Sequence, residues 1–418
     1  MKIGILTYHW VANFGANLQT LSTYKYVENA GHTPIIINWI PDDLMKVYER
    51  KVSKEQLCTH RQFAISNYHN ITDVCKDKYD IARVVDEKQI DIVIIGSDAV
   101  FSYTPILERI RICRRGLWYF KPISDFDCPN PFWGDFYPLL KRKVKLVAMS
   151  ASAQNTNYKK IILGFEKKRF VKALEQFSYV SVRDIWTKQM LSYLIGKDVD
   201  VPITPDPVFA FENNVSPNNR NIVQKYLGIT NKYAILSVTD SVKEETWIKD
   251  LEKHFSEAGI ILIGLPQTNT QFKNILEHNM PFPIDPLDWY LFIKNSVGYI
   301  GELMHPILVS LHNAVPIFAL DLYGFRKNGR LITESSKTYQ IVKRFGLLDN
   351  YYSVKDNREL PNPAYVVERI ADFDKTKCQR NASIMYNQYL DMMDTILNLG
   401  LNDVAVEGFA VKTGNPRF

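Results

Sequence analysis

Short apolar runs rich in β-branched residues recur at 2–7, 34–39, 91–96, 144–150 and 178–182, separated by helix-like segments near 16–30, 80–89 and 159–176. Runs of this length, alternating with helical patterns, predict a mostly parallel sheet covered on both faces. Thr204–Pro205–Asp206–Pro207 interrupts the series and marks a domain edge. Beyond it the alternation restarts. Strands are predicted at 233–238, 259–264, 297–300 and 315–320, and helices at 242–257, 287–294 and 306–314. The chain is thus read as α/β, with two successive domains facing a cleft. Residues 1–205 form the first domain, with irregular insertions near 50–80 and 103–140. Residues 206–378 form the second, and 379–418 supply a closing helix near 380–400 and a loose tail after Gly408.

Within this frame, several junctions carry chemistry. The first apolar run hands over to a helix through Asn13–Phe14–Gly15–Ala16, a turn that places backbone N–H groups at a helix N-terminus, where anions are favoured. Asn13 either caps that helix or bonds a substrate, and Gly15 permits close backbone approach. Gly96–Ser97–Asp98 emerges at the carboxyl end of a buried run, the edge at which open α/β sheets bind ligands. Asp98 is placed there either as a general base for a hydroxyl or as a turn-forming residue. Arg183 ends another run, able to fork onto a carboxylate or phosphate or to pair with Asp184. His305, between a strand and an apolar helix, is read either as a proton carrier or phosphate ligand or as a structural histidine.

Composition narrows the field modestly. The 51 basic and 45 acidic residues leave a net charge of +6, which suits an anionic substrate without demanding nucleic acid. Basic clusters at Arg109–Arg115 and Lys141–Lys145 are read as solvated faces, and are compatible with peripheral association with an anionic membrane. Five scattered cysteines show no metal or redox spacing, so a cytoplasmic setting without a structural metal is expected. No apolar stretch approaches the roughly eighteen residues of a membrane span. Phosphate-binding lysine loops, GxSxG elbows and HExxH motifs are missing, which weakens the common NTPase and hydrolase readings.

Taken in order, the motifs resemble the polysaccharide pyruvyl transferase family. Those that carry the resemblance are Asn13 to Gln19, Gly96–Ser97–Asp98, Phe132 to Gly134 with Ser150 to Ser152, Ser181 to Arg183 and Asp206–Pro207. The run from Asp288 through His305 to Pro316, and Ser335–Ser336–Lys337 with Phe345 to Leu348, complete the set. The resemblance covers about residues 1–350. It implies a GT-B-like pair of Rossmann-like domains and transfer of the enolpyruvyl group of phosphoenolpyruvate to two hydroxyls of one sugar, forming a cyclic ketal. No cofactor is implied beyond that donor, and the acceptor would be a sugar or lipid-linked oligosaccharide. Arg183 would hold the donor's carboxylate or phosphate with His305 beside it, and Asn13, Gly15, Gln19, Ser97, Ser335 and Lys337 would line the substrate site. Asp98 is assigned to hydroxyl activation on its placement alone. One departure stands out: where the family commonly reads Ser-Phe-His-Gly or Arg-Leu-His-Gly, this chain has Leu303–Met304–His305–Pro306. Arg326, Lys327 and Arg330, from the adjoining loop, are the candidates to replace a lost donor-gripping arginine. A nucleotide-sugar glycosyltransferase on the same fold, or a non-catalytic glycan- or partner-binding relative, are the alternatives.

Overall fold

The computed structural model describes residues 1–401, apart from 114–115, 155, 240–243, 267–274, 328–329 and 358. The expected loose tail lies outside the described residues. The first half runs β1 (Lys2–Leu6), α1 (Phe14–Asn29), β2 (Thr33–Ile36), α2 (Asp42–Lys51), α3 (Lys54–Asn67), α4 (Lys78–Glu87) and β3 (Ile92–Asp98). It continues with a hairpin, β4 (Ile110–Cys113) and β5 (Gly116–Tyr119), then β6 (Lys145–Ala151), α5 (Gly164–Leu174), β7 (Tyr179–Val182) and α6 (Ile185–Ile195). Its main sheet has the order β2-β1-β3-β6-β7, all parallel. Every residue of β3 is buried, as a continuous apolar run between two helical layers requires.

The second half begins with α7 (Phe211–Val215), α8 (Ile222–Leu227), β8 (Tyr233–Ser237), α9 (Glu245–Glu257), β9 (Ile261–Gly264), β10 (His278–Asn279) and α10 (Pro286–Lys294). There follow β11 (Gly298–Gly301), α11 (Met304–His312), β12 (Ile317–Asp321), the small hairpin β13 (Phe325–Lys327) and β14 (Arg330–Ile332), α12 (Lys337–Arg344), β15 (Tyr351–Ser353), α13 (Pro363–Ala371) and α14 (Lys375–Leu401). Among the described residues its sheet is again parallel, in the order β10-β9-β8-β11-β12-β15.

Helix α1 is buried almost all round because it is wedged between the halves. Its polar side chains are therefore satisfied by tertiary partners: Ser22 Oγ donates to Pro207 O (2.8 Å) and Asn17 Nδ2 to His9 O (3.1 Å). Phe14 stacks on Trp289 of α10, ring centroids 4.9 Å apart and 7° from parallel. Helix α14 carries Cys378 and Met385 into the second half's core, and Tyr389, Met393 and Ile396 against Ile3, Ile92 and Val147 of the first sheet. It thereby straps the two halves together.

Residues 50–80 depart from the irregular insertion expected there, for they contain α3. Gln56 on α3 exchanges two 2.9 Å hydrogen bonds with the backbone of Ile284, so this segment joins the halves. Among the described residues no helix is long and apolar enough to cross a membrane, and no cluster of three or more His, Cys, Asp or Glu could hold a metal ion.

Candidate active site

A cleft of about 630 Å³ opens where the carboxyl ends of the two sheets face one another. Asn13 and Gly15 reach it from the β1–α1 turn, Asp98 from the end of β3 and Arg183 from the end of β7. His305 comes from the start of α11, and Ser335 and Lys337 from the start of α12. Gln19 and Ser97 do not line it. Gln19 Nε2 donates to Asp206 (2.5 Å) and Ser97 Oγ donates to Ser150 O (3.1 Å), both from buried positions behind the wall. Asn13 is a cap: its side chain accepts from Ala16 N–H (3.3 Å). Ser335 Oγ accepts from Phe325 N–H (2.6 Å) and donates to Ile332 O (2.5 Å), which fixes the β13–β14 hairpin beside the cleft. Lys327 and Arg330 have side chains outside the described residues, and Arg326 lies 3.4 Å from Asp356.

Arg183 forms the charged centre. Its Nη1 is 2.5 Å from Asp206 and its Nη2 is 3.8 Å from Asp98, all three groups being largely shielded from water. Asp184 is not its partner; that carboxylate caps α6 through Thr187 N–H (2.7 Å) and accepts from Ser152 Oγ (2.8 Å). Arg183 Nε remains buried with no hydrogen-bond partner among the described residues. Asp98 follows a tight strand end: it has φ +95°, a left-handed conformation uncommon for a residue with a side chain, and is steadied by Ala99 N–H donating to its Oδ1 (2.8 Å).

His305 occupies the first turn of α11, its ring packed on the β1–α1 turn. A Cβ placed on Gly15 would lie 2.0 Å from the ring, so glycine there is what admits the imidazole. Burial lowers the His305 pKa, Asp98 and Asp206 partly oppose this, and the ring's Nε2 is buried without a partner among the described residues. Pro306 is harmless at this position because the first helical turn needs no N–H from it. Leu303, at the N-cap, supplies no side-chain cap, so the first-turn N–H groups of α11 are not taken up by it.

Lys337 begins α12, whose cap is Ser336. Burial, then the nearby Arg183 charge, pushes its pKa down to about 8 against the pull of Asp184, Asp98 and Asp206. No carboxylate lies within 4 Å of its ammonium among the described residues.

Sequence reasoning missed Asp125. It sits in a short 3₁₀ turn after the β4–β5 hairpin, in a segment without periodicity. Ser124 N–H and Oγ both bond to Asp43 on α2 (2.8 and 2.7 Å), which holds the turn against the cleft. Tyr8 Oη donates to Asp125 Oδ2 (2.9 Å), and Oδ1 is buried without a partner among the described residues. Burial pushes the Asp125 pKa up to about 6, although the Tyr8 hydrogen bond lowers it. Tyr8 was the available signal, since it lies two residues beyond β1 at the ligand-binding edge.

Two parallel α/β halves facing a cleft, strapped by a last helix that returns to the first half, define the GT-B architecture. A solved structure shares this fold. UDP-GlcNAc 2-epimerase from Neisseria meningitidis, bound to UDP-GlcNAc, is similar over 95% of this chain and 100% of that one, with TM-score 0.51 and 8% identity. An S. aureus MnaA–UDP co-structure (TM-score 0.49, 11% identity, 95% and 97% coverage) and the spinosyn forosaminyltransferase SpnP (0.48, 11%, 96% and 100%) follow. The family model for polysaccharide pyruvyl transferase matches residues 13–322, and the chain belongs to that family. Separately, a 27-residue stretch, 6% of the chain, is 96% identical to pyruvate, phosphate dikinase of Clostridium symbiosum; it spans 3% of that protein's length and is a local identity only.

Proposed function

We propose that the chain moves the pyruvyl group of phosphoenolpyruvate onto two hydroxyls of one sugar in a surface-polysaccharide precursor, closing a cyclic ketal. The observation that carries this reading is one cleft holding Arg183, Lys337 and His305 together with the carboxyl groups of Asp98 and Asp125. A donor bearing both a carboxylate and a phosphate needs cationic and N–H groups, and hydroxyl acceptors need proton carriers.

The reaction consumes two hydroxyl protons. The first hydroxyl oxygen bonds to the donor's C2 while the methylene carbon takes up a proton and becomes methyl. The C2–O bond to phosphate then breaks with its electron pair, and the second hydroxyl takes the phosphate's place. One hydroxyl proton balances the methyl group and the other leaves with phosphate. Lys337, His305 and the unpaired Arg183 Nε are assigned to the donor's charge, and Asp98 to the hydroxyl. Asp125 is assigned to carry the proton between oxygen and carbon, because a carboxyl titrating near neutrality both accepts and releases it.

The test is incubation with phosphoenolpyruvate and candidate acceptor sugars. Expected are inorganic phosphate and a sugar heavier by pyruvic acid less one water. Thermal protection by a nucleotide sugar, with none from phosphoenolpyruvate, would instead support the glycosyltransferase alternative and overturn this reading. Asp125→Asn is expected to cut turnover by about 10²–10⁴-fold and to remove an ascending limb near pH 6 from kcat/KM. The donor's own phosphate titrates in the same range, so a limb unchanged in the variant assigns it to the donor and excludes Asp125.

A further inference from the structure

The β4–β5 hairpin stands away from the body of the protein, with every residue of β5 exposed. Leu117 is 75% exposed, and Trp118 and Tyr119 are each 61% exposed. Adjacent strand residues point to opposite faces, so both faces of the ribbon present apolar surface to solvent. Two strands alone are only marginally stable, and the base is held by other means. Arg109 is buried there, donating to Thr104 O (2.8 Å) and Asp127 Oδ1 (2.9 Å) and lying 5.0 Å from the Tyr103 ring centroid. Arg109, expected to lie on a solvated face, is thus an anchor.

The sequence around these apolar residues is strongly basic. Residues 109–121 contain five basic residues and no acidic one. The start of α5 adjoins the hairpin's base, as Glu166 accepts from Ile106 N–H (3.0 Å) and Lys160 lies 2.9 Å from Glu108. That neighbouring stretch, 159–172, has six basic residues and one acid, the buried Glu166, and it exposes Ile162 and Phe165.

We propose that this hairpin and the start of α5 form a docking surface for an anionic lipid bilayer. Trp, Tyr and Leu side chains suit the headgroup boundary, and lysine and arginine around them suit its negative potential. An apolar strand set in basic sequence, exposed on both faces, fits insertion into a soft interface. A flat protein partner would cover only one of those faces. The hairpin also leads directly into Ile123, Asp125 and Phe126 of the cleft wall, so docking brings the cleft to the membrane surface. This inference does not depend on which donor the cleft takes.

The full chain is expected to co-sediment with vesicles of phosphatidylcholine and phosphatidylglycerol, to ignore vesicles of phosphatidylcholine alone, and to dissociate as salt rises. Leu117→Ser with Trp118→Ser should weaken binding by about ten-fold or more at unchanged thermal midpoint. Lys121→Glu with Lys159→Glu should remove the preference for anionic vesicles. Failure of the wild type to bind, or undiminished binding by the Leu117/Trp118 variant, overturns the proposal. So does a concentration-dependent dimer that this variant abolishes, since the occupant would then be a second copy.

Discussion

Arg183→Ala is expected to destabilise the protein by about 3–5 kcal/mol, the usual effect of removing one partner from a buried charge pair. Asp206 sits 2.5 Å from the guanidinium and is almost fully buried, with, among the described residues, the Gln19 amide and the Val208 N–H left to its carboxylate once Arg183 is gone. Asp98, 3.8 Å away on the other side, loses the same countercharge. The loss should appear as a lower thermal or denaturant midpoint before any assay is run. Neutralising the orphaned acid is the control. Arg183→Met with Asp206→Asn should recover part of the stability while turnover stays lost, because the Nε proposed to meet the donor is still missing. A single variant as stable as the wild type would show that the ion pair contributes nothing to the fold, and its activity would then report on substrate alone.

That double role explains why the site was legible only in part from sequence. The strand ends carrying Asp98 and Arg183 were readable because buried parallel strands such as Ile92–Asp98 are continuous apolar runs. What each side chain meets was not readable. Asp206 lies 23 residues from Arg183, and the bridge between Val182 at the end of β7 and Ile203 brings them together. Helix α3 was hidden for a related reason. Its buried face includes Gln56 and His60, whose partners are the Ile284 backbone and Asn17, so polar residues interrupt the apolar period that marks a helix. Tyr8 aside, nothing in the sequence pointed to Asp125, because its proton affinity comes from burial beneath a turn that Asp43 holds in place. Pro306, which as sequence casts doubt on the histidine motif, is explained by its place in the first turn of α11.

Lys337→Met is expected to lower kcat/KM for phosphoenolpyruvate by roughly 10²–10³-fold, the scale seen when a preorganised group facing developing charge is removed. Unlike Arg183, this lysine has no carboxylate within 4 Å among the described residues, so the fold should not suffer. pH separates the two effects. With the folded-state pKa pushed down to about 8 and the unfolded lysine near 10.4, the unfolded chain holds the extra proton between those values. Stability of the ligand-free protein should therefore rise as pH climbs through that window. Donor capture should do the opposite, with kcat/KM falling above about pH 8 as the ammonium is lost. Both trends should vanish in Lys337→Met, and Lys337→Arg, which keeps its charge, should carry the activity limb to higher pH. A wild-type profile that stays flat past pH 9, or a methionine variant with unchanged kcat/KM, would remove Lys337 from the donor site.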